Sequence, residues 1–456
     1  MTTSNTNVPG PKPIPVLGNL LEMGANPLRF FETCARTYGP VVKLELEKGR
    51  DTYLLSRPEH VQFVLTNTQK LFVKGYQRDR ILSLVLGNGL VTSEGSFWLR
   101  QRRLSQPAFH QHRIEGYAAV MSAYAQRMLA GWRKDEVRDV HADMMRCTME
   151  IVGKTLFDVD LYDPGEGSNE VAESMDRVFR EYVKQYASVV RRLLETVPFP
   201  LPLPGNARLK RSVEKLDRIV YGIIERRREE NRDRGDLLSM LLQARDDDGT
   251  GMTGEQLRDE AMTLFLAGHE TTANVLSWTL YALARHPAAG EVLAAELDRV
   301  LEGREPAFAD IPRLPYTQAV IKESMRLYPP VWFISREPVE DVSIDGYRLP
   351  AGCEVALSQW VMHRHPDHFA DPQSFRPDRW SPSFEKSLPA YVYFPFGAGP
   401  RVCIGSGFAM TEATLLLASI AQTYRFEPAD GREAVLEPSI TLRPRYGIRL
   451  RAIRRR

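Results

Sequence analysis

Residues Phe396 to Gly405 read Phe-Gly-Ala-Gly-Pro-Arg-Val-Cys-Ile-Gly and set Cys403 directly ahead of an apolar helical run, Phe408–Tyr424. A cysteine at a helix start faces unpaired backbone N–H groups and the positive end of the helix dipole. Both favour the thiolate, which is the form that ligates metal. Arg401 adds a positive charge two residues away, and the glycines let the backbone approach a flat object closely. The same residues also suit an inert buried cysteine beside a glycine turn.

A second concentration of chemistry lies in residues 253–286. Thr253 with Gln256 matches a capping box, and His286-Pro287 is a stop signal. A helix of this length spans roughly 50 Å. From Ala261 to Leu283 it is apolar on nearly every side, which predicts burial. Yet Ala267-Gly268-His269-Glu270-Thr271-Thr272 interrupts it. A buried carboxylate is costly unless paired, and threonine hydroxyls compete for the carbonyl one turn earlier. Such a patch is expected where a ligand lies against the helix; an internal water-filled kink is the alternative.

The elements that must position these residues follow from pattern and punctuation. Val41–Leu46 and Thr52–Ser56 flank a Lys48-Gly49-Arg50-Asp51 turn and predict a hairpin. Helical patterns then dominate to about residue 330, with breaks at 163–167, 198–205 and 246–251. A further β region follows Pro329-Pro330, with Asp345-Gly346 turning between Val342–Ile344 and Tyr347–Leu349, and Thr441–Ile453 reads as a final hairpin. The fold class is mainly α with small β-sheets (α+β), the β-containing parts lying near 40–60, 331–360 and 438–453.

Composition narrows the function. Sixty Lys and Arg against 58 Asp and Glu leave a net charge of +2, too balanced for a nucleic-acid-coating protein. Four scattered cysteines form no disulfide framework and fit a reducing compartment. Neither a signal peptide nor a run of about 18 apolar residues is evident, so the expectation is a soluble, cytoplasmic protein without a membrane anchor. His269-Glu270 lacks the second histidine of a zinc-protease helix, because residue 273 is Ala273. Zinc at His363, His365 and His368 is a minor alternative to their lying in the loop before Pro372.

Five segments resemble, in order, motifs of the cytochrome P450 superfamily: Trp98-x-x-x-Arg102, Ala267–Thr272, Glu323-x-x-Arg326, Pro377-Asp378-Arg379-Trp380 and the cysteine loop. The loop matches Phe-x-x-Gly-x-Arg-x-Cys-x-Gly at every fixed position, while Asp378 stands where Glu is commoner. Singly, Glu323 with Arg326 is more often a surface salt bridge; order and spacing together carry the resemblance. It runs from Pro9-Gly10-Pro11 to the C-terminus and implies one haem domain over 1–456, with a long central helix over the haem and no room for a fused reductase.

The resemblance implies haem b with Cys403 as axial thiolate. Trp98, Arg102 and Arg401 would bind the propionates, with Arg336 a further candidate; Phe396 would pack near the sulfur. Thr271 and Glu270 would be the alcohol–acid pair that delivers protons, and Ala267 and Gly268 would leave room for dioxygen. Glu323, Arg326 and Arg379 would support the cysteine loop. Val331, Trp332 and Phe333 would wall an apolar pocket, with Phe72–Tyr76 and Ser439-Ile440 as further candidates and 198–202 near a lid. The implied reaction is insertion of one oxygen atom from O2 into an apolar small molecule, terpenoid or fatty-acid-like. Electrons would come from a ferredoxin or flavodoxin with its reductase, docking near Arg100 or Arg103. A peroxide-driven peroxygenase and a non-catalytic haem sensor are the alternatives.

Overall fold

A computed structural model describes residues 7–47, 49–75, 80–161, 174, 177–178, 181, 204–230 and 232–455. Lys48 of the first turn, Tyr76, and the expected breaks and lid at 163–167 and 198–202 lie outside these. The helices among the described residues are α1 (Leu20–Ala25), α2 (Pro27–Tyr38), α3 (Pro58–Thr66), α4 (Arg80–Leu86), α5 (Gly95–Ser105), α6 (Gln111–Ala130), α7 (Val140–Phe157) and α8 (Pro204–Glu230). There follow α9 (Leu237–Gln243), α10 (Gly254–Arg285), α11 (Pro287–Leu301), α12 (Pro315–Leu327), α13 (Gln359–Met362), α14 (Pro382–Ser387) and α15 (Ser406–Thr423).

Helix α10 runs through the core, as its apolar circumference requires. Thr253 Oγ1 accepts from Gln256 N at 3.2 Å, and Gln256 Oε1 accepts from Thr253 N at 3.0 Å, so the expected capping box starts the helix. His286 ends it ahead of Pro287. It packs on α7, α8, α12 and α15. Trp278 stacks on Tyr328, with ring centroids 4.7 Å apart, and donates its Nε1–H to the Leu442 carbonyl at 2.9 Å. The threonine patch does not break the helix, which is continuous across it.

Strands β1 (Val41–Glu47) and β2 (Arg50–Leu55) form the predicted hairpin, with Val41 opposite Leu55. Strands β3 (Phe72–Lys74), β4 (Glu136–Asp139), β5 (Ile334–Pro338), β6 (Val342–Ile344), β7 (Tyr347–Leu349) and β8 (Glu354–Leu357) follow. β8 adds parallel to β2, so the two β regions read separately in the sequence merge into one sheet of order β1-β2-β8-β5-β3. The β6–β7 hairpin turns at Asp345-Gly346, as expected.

The final hairpin does not form. β11 (Leu442–Pro444) pairs with β10 (Leu436–Pro438), while β12 (Arg449–Arg454) pairs with β4 and β9 (Tyr424–Pro428). The cause is Asp139: its Oδ1 accepts from Ile448 N at 3.0 Å, and Ile448 O accepts from Val140 N at 2.9 Å. The chain is drawn away from β11 before it can return along it.

Glu323 and Arg326 share one face of α12 and are fully buried. Arg326 grips the carboxylate through Nε and Nη2 at 2.8 and 2.9 Å. Arg379 Nε, Trp380 Nε1 and Arg376 N also donate to it, at 3.0, 2.9 and 2.8 Å. Arg326 then donates to the carbonyls of His363, Pro372 and Ser374. A surface salt bridge is thereby excluded. Removing one member of such a buried pair leaves an uncompensated charge and costs about 3–5 kcal/mol. Arg326→Ala is therefore expected to give little soluble, folded protein, as size-exclusion chromatography and thermal melting of the recovered fraction would read.

Candidate active site

The cysteine loop is held from behind by this network. His363 Nε2 accepts from Phe394 N at 3.0 Å, and Cys403 N donates to Phe396 O at 2.9 Å, closing the loop. Gly399, at φ +68°, lies so close to the end of α3 that a Cβ there would stand 2.2 Å from the Leu65 carbonyl oxygen. That glycine is required by the protein's own backbone, not by a flat ligand as the sequence suggested.

Cys403 opens onto an internal cavity with about 1790 Å³ of atom-free space, its mouth included. Ala267, Gly268 and Thr271 of α10 border the same cavity, as do Phe396, Trp98, Arg102, Arg336, Arg401 and Val331. Trp98 and Cys403, 305 residues apart in sequence, are thus brought around one space. Burial raises the Cys403 thiol above its ordinary value; the Gly405 N–H and the Arg102 guanidinium oppose this without reversing it. The helix start favours the thiolate, as expected, but burial outweighs it until a cation binds the sulfur.

Four cations meet at the cavity. Arg401 stacks on the Trp98 ring at 3.6 Å, donates to Ser93 O at 3.1 Å and pairs with Glu94. Arg102 donates to Val402 O at 2.8 Å, and the buried Arg336 to Ser335 O at 2.8 Å. Lys74 on β3, within the Phe72–Tyr76 segment that the sequence offered as a pocket candidate, donates to the Leu90 and Val91 carbonyls at 2.8 Å. Its place among the cations was not read from the sequence. Burial first, then Arg401 and Arg336, drive the Lys74 ammonium well below its ordinary value. Burial also lowers Arg401 to about 10, with Arg336 and Arg102 adding to it. Buried cations that repel one another, with Glu94 as their close partner, fit an anionic group carrying two carboxylates, as haem does.

The alcohol–acid pair divides. Thr271 Oγ1 donates to Ala267 O at 2.7 Å at the cavity edge. Glu270 does not border the cavity; its Oε1 accepts from Thr441 Oγ1 at 2.7 Å, and burial pushes it up to about 7. Gly268 borders the cavity, and a Cβ there would meet Val152 at 3.2 Å.

Two pocket candidates are corrected. Trp332 and Phe333 turn to the N-terminal core, where Phe31 packs on both rings and Trp332 Nε1 donates to Ser439 O at 2.8 Å. Val331 and Ile334 face the cavity instead, because the polar indole N–H needs a carbonyl partner when buried. Phe72 is buried in the core and, like Ser439 and Ile440, does not border the cavity. Arg100 pairs with Asp246, and the exposed Arg103 lies beside Asp246 and Asp247.

Glu412, nearly two turns into α15, also escaped the sequence reading, although a lone acid in an apolar helix was visible there. Neither of its oxygens reaches hydrogen-bond geometry among the described residues. Burial pushes it up to about 8, opposed by the nearby Thr272 hydroxyl. Among the described residues no group of His, Cys, Asp and Glu could hold a metal ion, so the histidines at 363–368 form no such centre, and no helix is long and apolar enough to cross a membrane.

A family model described as Cytochrome P450 matches residues 8–451. Cyclooctatin synthase of Streptomyces melanosporofaciens is 38% identical, over 95% of this chain and 92% of that protein. Pentalenene oxygenase of Streptomyces avermitilis is 33% identical, over 97% of this chain and 95% of that protein. Among solved structures, the cytochrome P450DA haem domain is similar with a TM-score of 0.88 at 28% identity, over 98% of both chains. Retinoic-acid-bound cyanobacterial CYP120A1 has a TM-score of 0.87 at 25% identity, over 99% of both.

The Glu412 environment makes stability depend on pH. A carboxyl raised in the folded state stays protonated there while the unfolded chain ionises, so the unfolded state binds fewer protons and stability falls as pH rises from about 4.5 to 8. The loss is roughly 1.4 kcal/mol per pH unit for one such group. Glu412→Gln removes that contribution, so its melting temperature is expected to fall less than wild type between pH 5 and pH 8.

Proposed function

The chain belongs to the cytochrome P450 family, and on that premise we propose that its monooxygenase activity is directed at a polycyclic terpenoid hydrocarbon. The cofactor is haem with an axial thiolate. When bound, it supplies activation of O2, with the thiolate pushing electron density onto iron to favour O–O cleavage. Cys403 would be the axial ligand. Arg102, Arg336, Arg401, Trp98 and Lys74 would hold the propionates.

The observation that supports the substrate class is how polarity is distributed in the cavity. Its cations lie together with Glu94, and two propionates would use them. The rest of the wall includes Val91, Val152, Leu156, Leu264, Val331 and Ile334. Among the described residues of that part of the wall, no ionic side chain remains for a fatty-acid carboxylate. The reading also accords with relatives named for the terpenoids cyclooctatin and pentalenene. Electrons would come singly from a ferredoxin or flavodoxin with its reductase.

Thr271 would present its hydroxyl at the cavity and hold a relay water. Glu270, behind it and titrating near neutral pH, would be the reserve from which that proton is replaced. Water is otherwise kept out by the aliphatic wall.

The reduced, carbon-monoxide-treated protein is expected to show a strongly red-shifted Soret band that Cys403→Ala abolishes. Pentalenene is expected to shift the ferric spin state of the wild type and palmitate not to; the reverse would overturn the substrate class. Thr271→Ala should lower product formation by about 10²-fold while oxygen consumption continues. Because Glu270 keeps its proton below about pH 7 and loses it above, wild-type product formation should decline as pH rises through that value. Glu270→Gln should flatten that decline in steady-state product assays across pH 6–8.

A further inference from the structure

We infer that Glu260 is a positioning residue for substrate: from the central helix it fixes the backbone of Leu90, and so the wall that Leu90 and Val91 present to the cavity. The inference rests on the cavity being the substrate's site. The loop between α4 and α5 is gripped from two sides. On the α10 side, Leu90 N donates to Glu260 Oε2 at 3.1 Å, and Asn88 N to Asp259 Oδ2 at 2.7 Å. On the sheet side, Lys74 Nζ on β3 donates to the Leu90 and Val91 carbonyls. Both backbone polar groups of Leu90 are therefore held by buried side chains from separate elements.

The loop also lies flush on α10. A Cβ at Gly87 would stand 2.0 Å from Asp259 Oδ1, and one at Gly89 would stand 2.2 Å from Thr263 Oγ1. Backbone this close to a helix cannot shift toward it. Lys74, Leu90 and Val91 border the cavity, whereas Glu260 does not, so it acts on the ligand only through Leu90. Burial raises Glu260 to about 8, with the Leu90 N–H opposing. It is thus mostly protonated at neutral pH, and glutamine reproduces both its shape and its acceptor.

The test is titration of the haem-loaded protein with 4-phenylimidazole, a rigid apolar probe, followed by the Soret shift. Glu260→Gln is expected to bind within about twofold of wild type, because it keeps the acceptor. Glu260→Leu, which leaves Leu90 N–H unpaired, is expected to bind about tenfold more weakly with an unchanged carbon-monoxide spectrum. Leu90→Phe should also weaken binding. A wild-type affinity in Glu260→Leu, with Leu90→Phe weakened, would overturn the positioning role. No effect of Leu90→Phe would instead overturn the cavity reading beneath it. Should Glu260→Leu fail to take up haem, amide hydrogen exchange of the wild type decides: slow exchange at Leu90 is expected, and fast exchange there refutes the pin.

Discussion

Five hydrogen bonds converge on the buried carboxylate of Glu323, and the position of the cysteine ligand descends from them. Arg326, held by that carboxylate, reaches the carbonyls of His363, Pro372 and Ser374. His363 in turn accepts from Phe394 N, and two residues later Phe396 O accepts from Cys403 N. Burial and the charges of Arg364 and Arg326 keep the His363 imidazole well below its ordinary value, so its Nε2 stays an acceptor. Ion pairs this deep are poor sources of net stability. Their value here is directional: guanidinium forks fix angles as well as distances, and the irregular segment 363–380 contains little regular structure of its own to do so.

The cavity that this scaffold closes is bordered by Cys403 and by four basic side chains. Lys74, Arg102, Arg336 and Arg401 lie near one another, and Arg401 rests on the Trp98 face. Cys403 sits with its thiol disfavoured as an anion. A group with a central cation and two peripheral carboxylates resolves both imbalances together. Cofactor and protein therefore stabilise one another, and the local rules that the site breaks are those that binding restores.

Along the central helix, function is separated by face. Thr271 and Thr272 both border the cavity, Thr272 with Glu412 of the helix after the cysteine nearby, while Glu270 turns to Thr441 on the C-terminal β region. At 100° per residue, Glu270 points away from the side chain that follows it. An acid and an alcohol adjacent in sequence are thus placed in different environments, one dry and near neutrality, one open to the site. Ten residues earlier the same helix offers Glu260 to the loop that borders the cavity, so a single rigid element carries both chemistry and shape.

The long helix was legible to its caps because burial on all sides, a reciprocal Thr253–Gln256 box and a terminal proline are local signals. The cysteine loop and its four companion motifs were legible because the chemistry restricts residue type at each position. What could not be read was direction and partnership. Trp332 and Phe333 have the composition of a pocket wall, but packing on Phe31 and a carbonyl for the indole N–H turn them into the N-terminal core. Thr441–Ile453 has the composition of a hairpin, but Asp139, some 300 residues earlier, recruits Ile448. Lys74 and Glu260 carry no local mark of function, since their roles arise from groups distant in the chain. Sequence alone determined the fold class through its patterning, and the cofactor through the family resemblance that the cysteine loop and its companion motifs carry together. Tertiary structure decided which of the candidate residues face the cavity and what each is bonded to, because a buried polar group takes its partner from wherever packing supplies one.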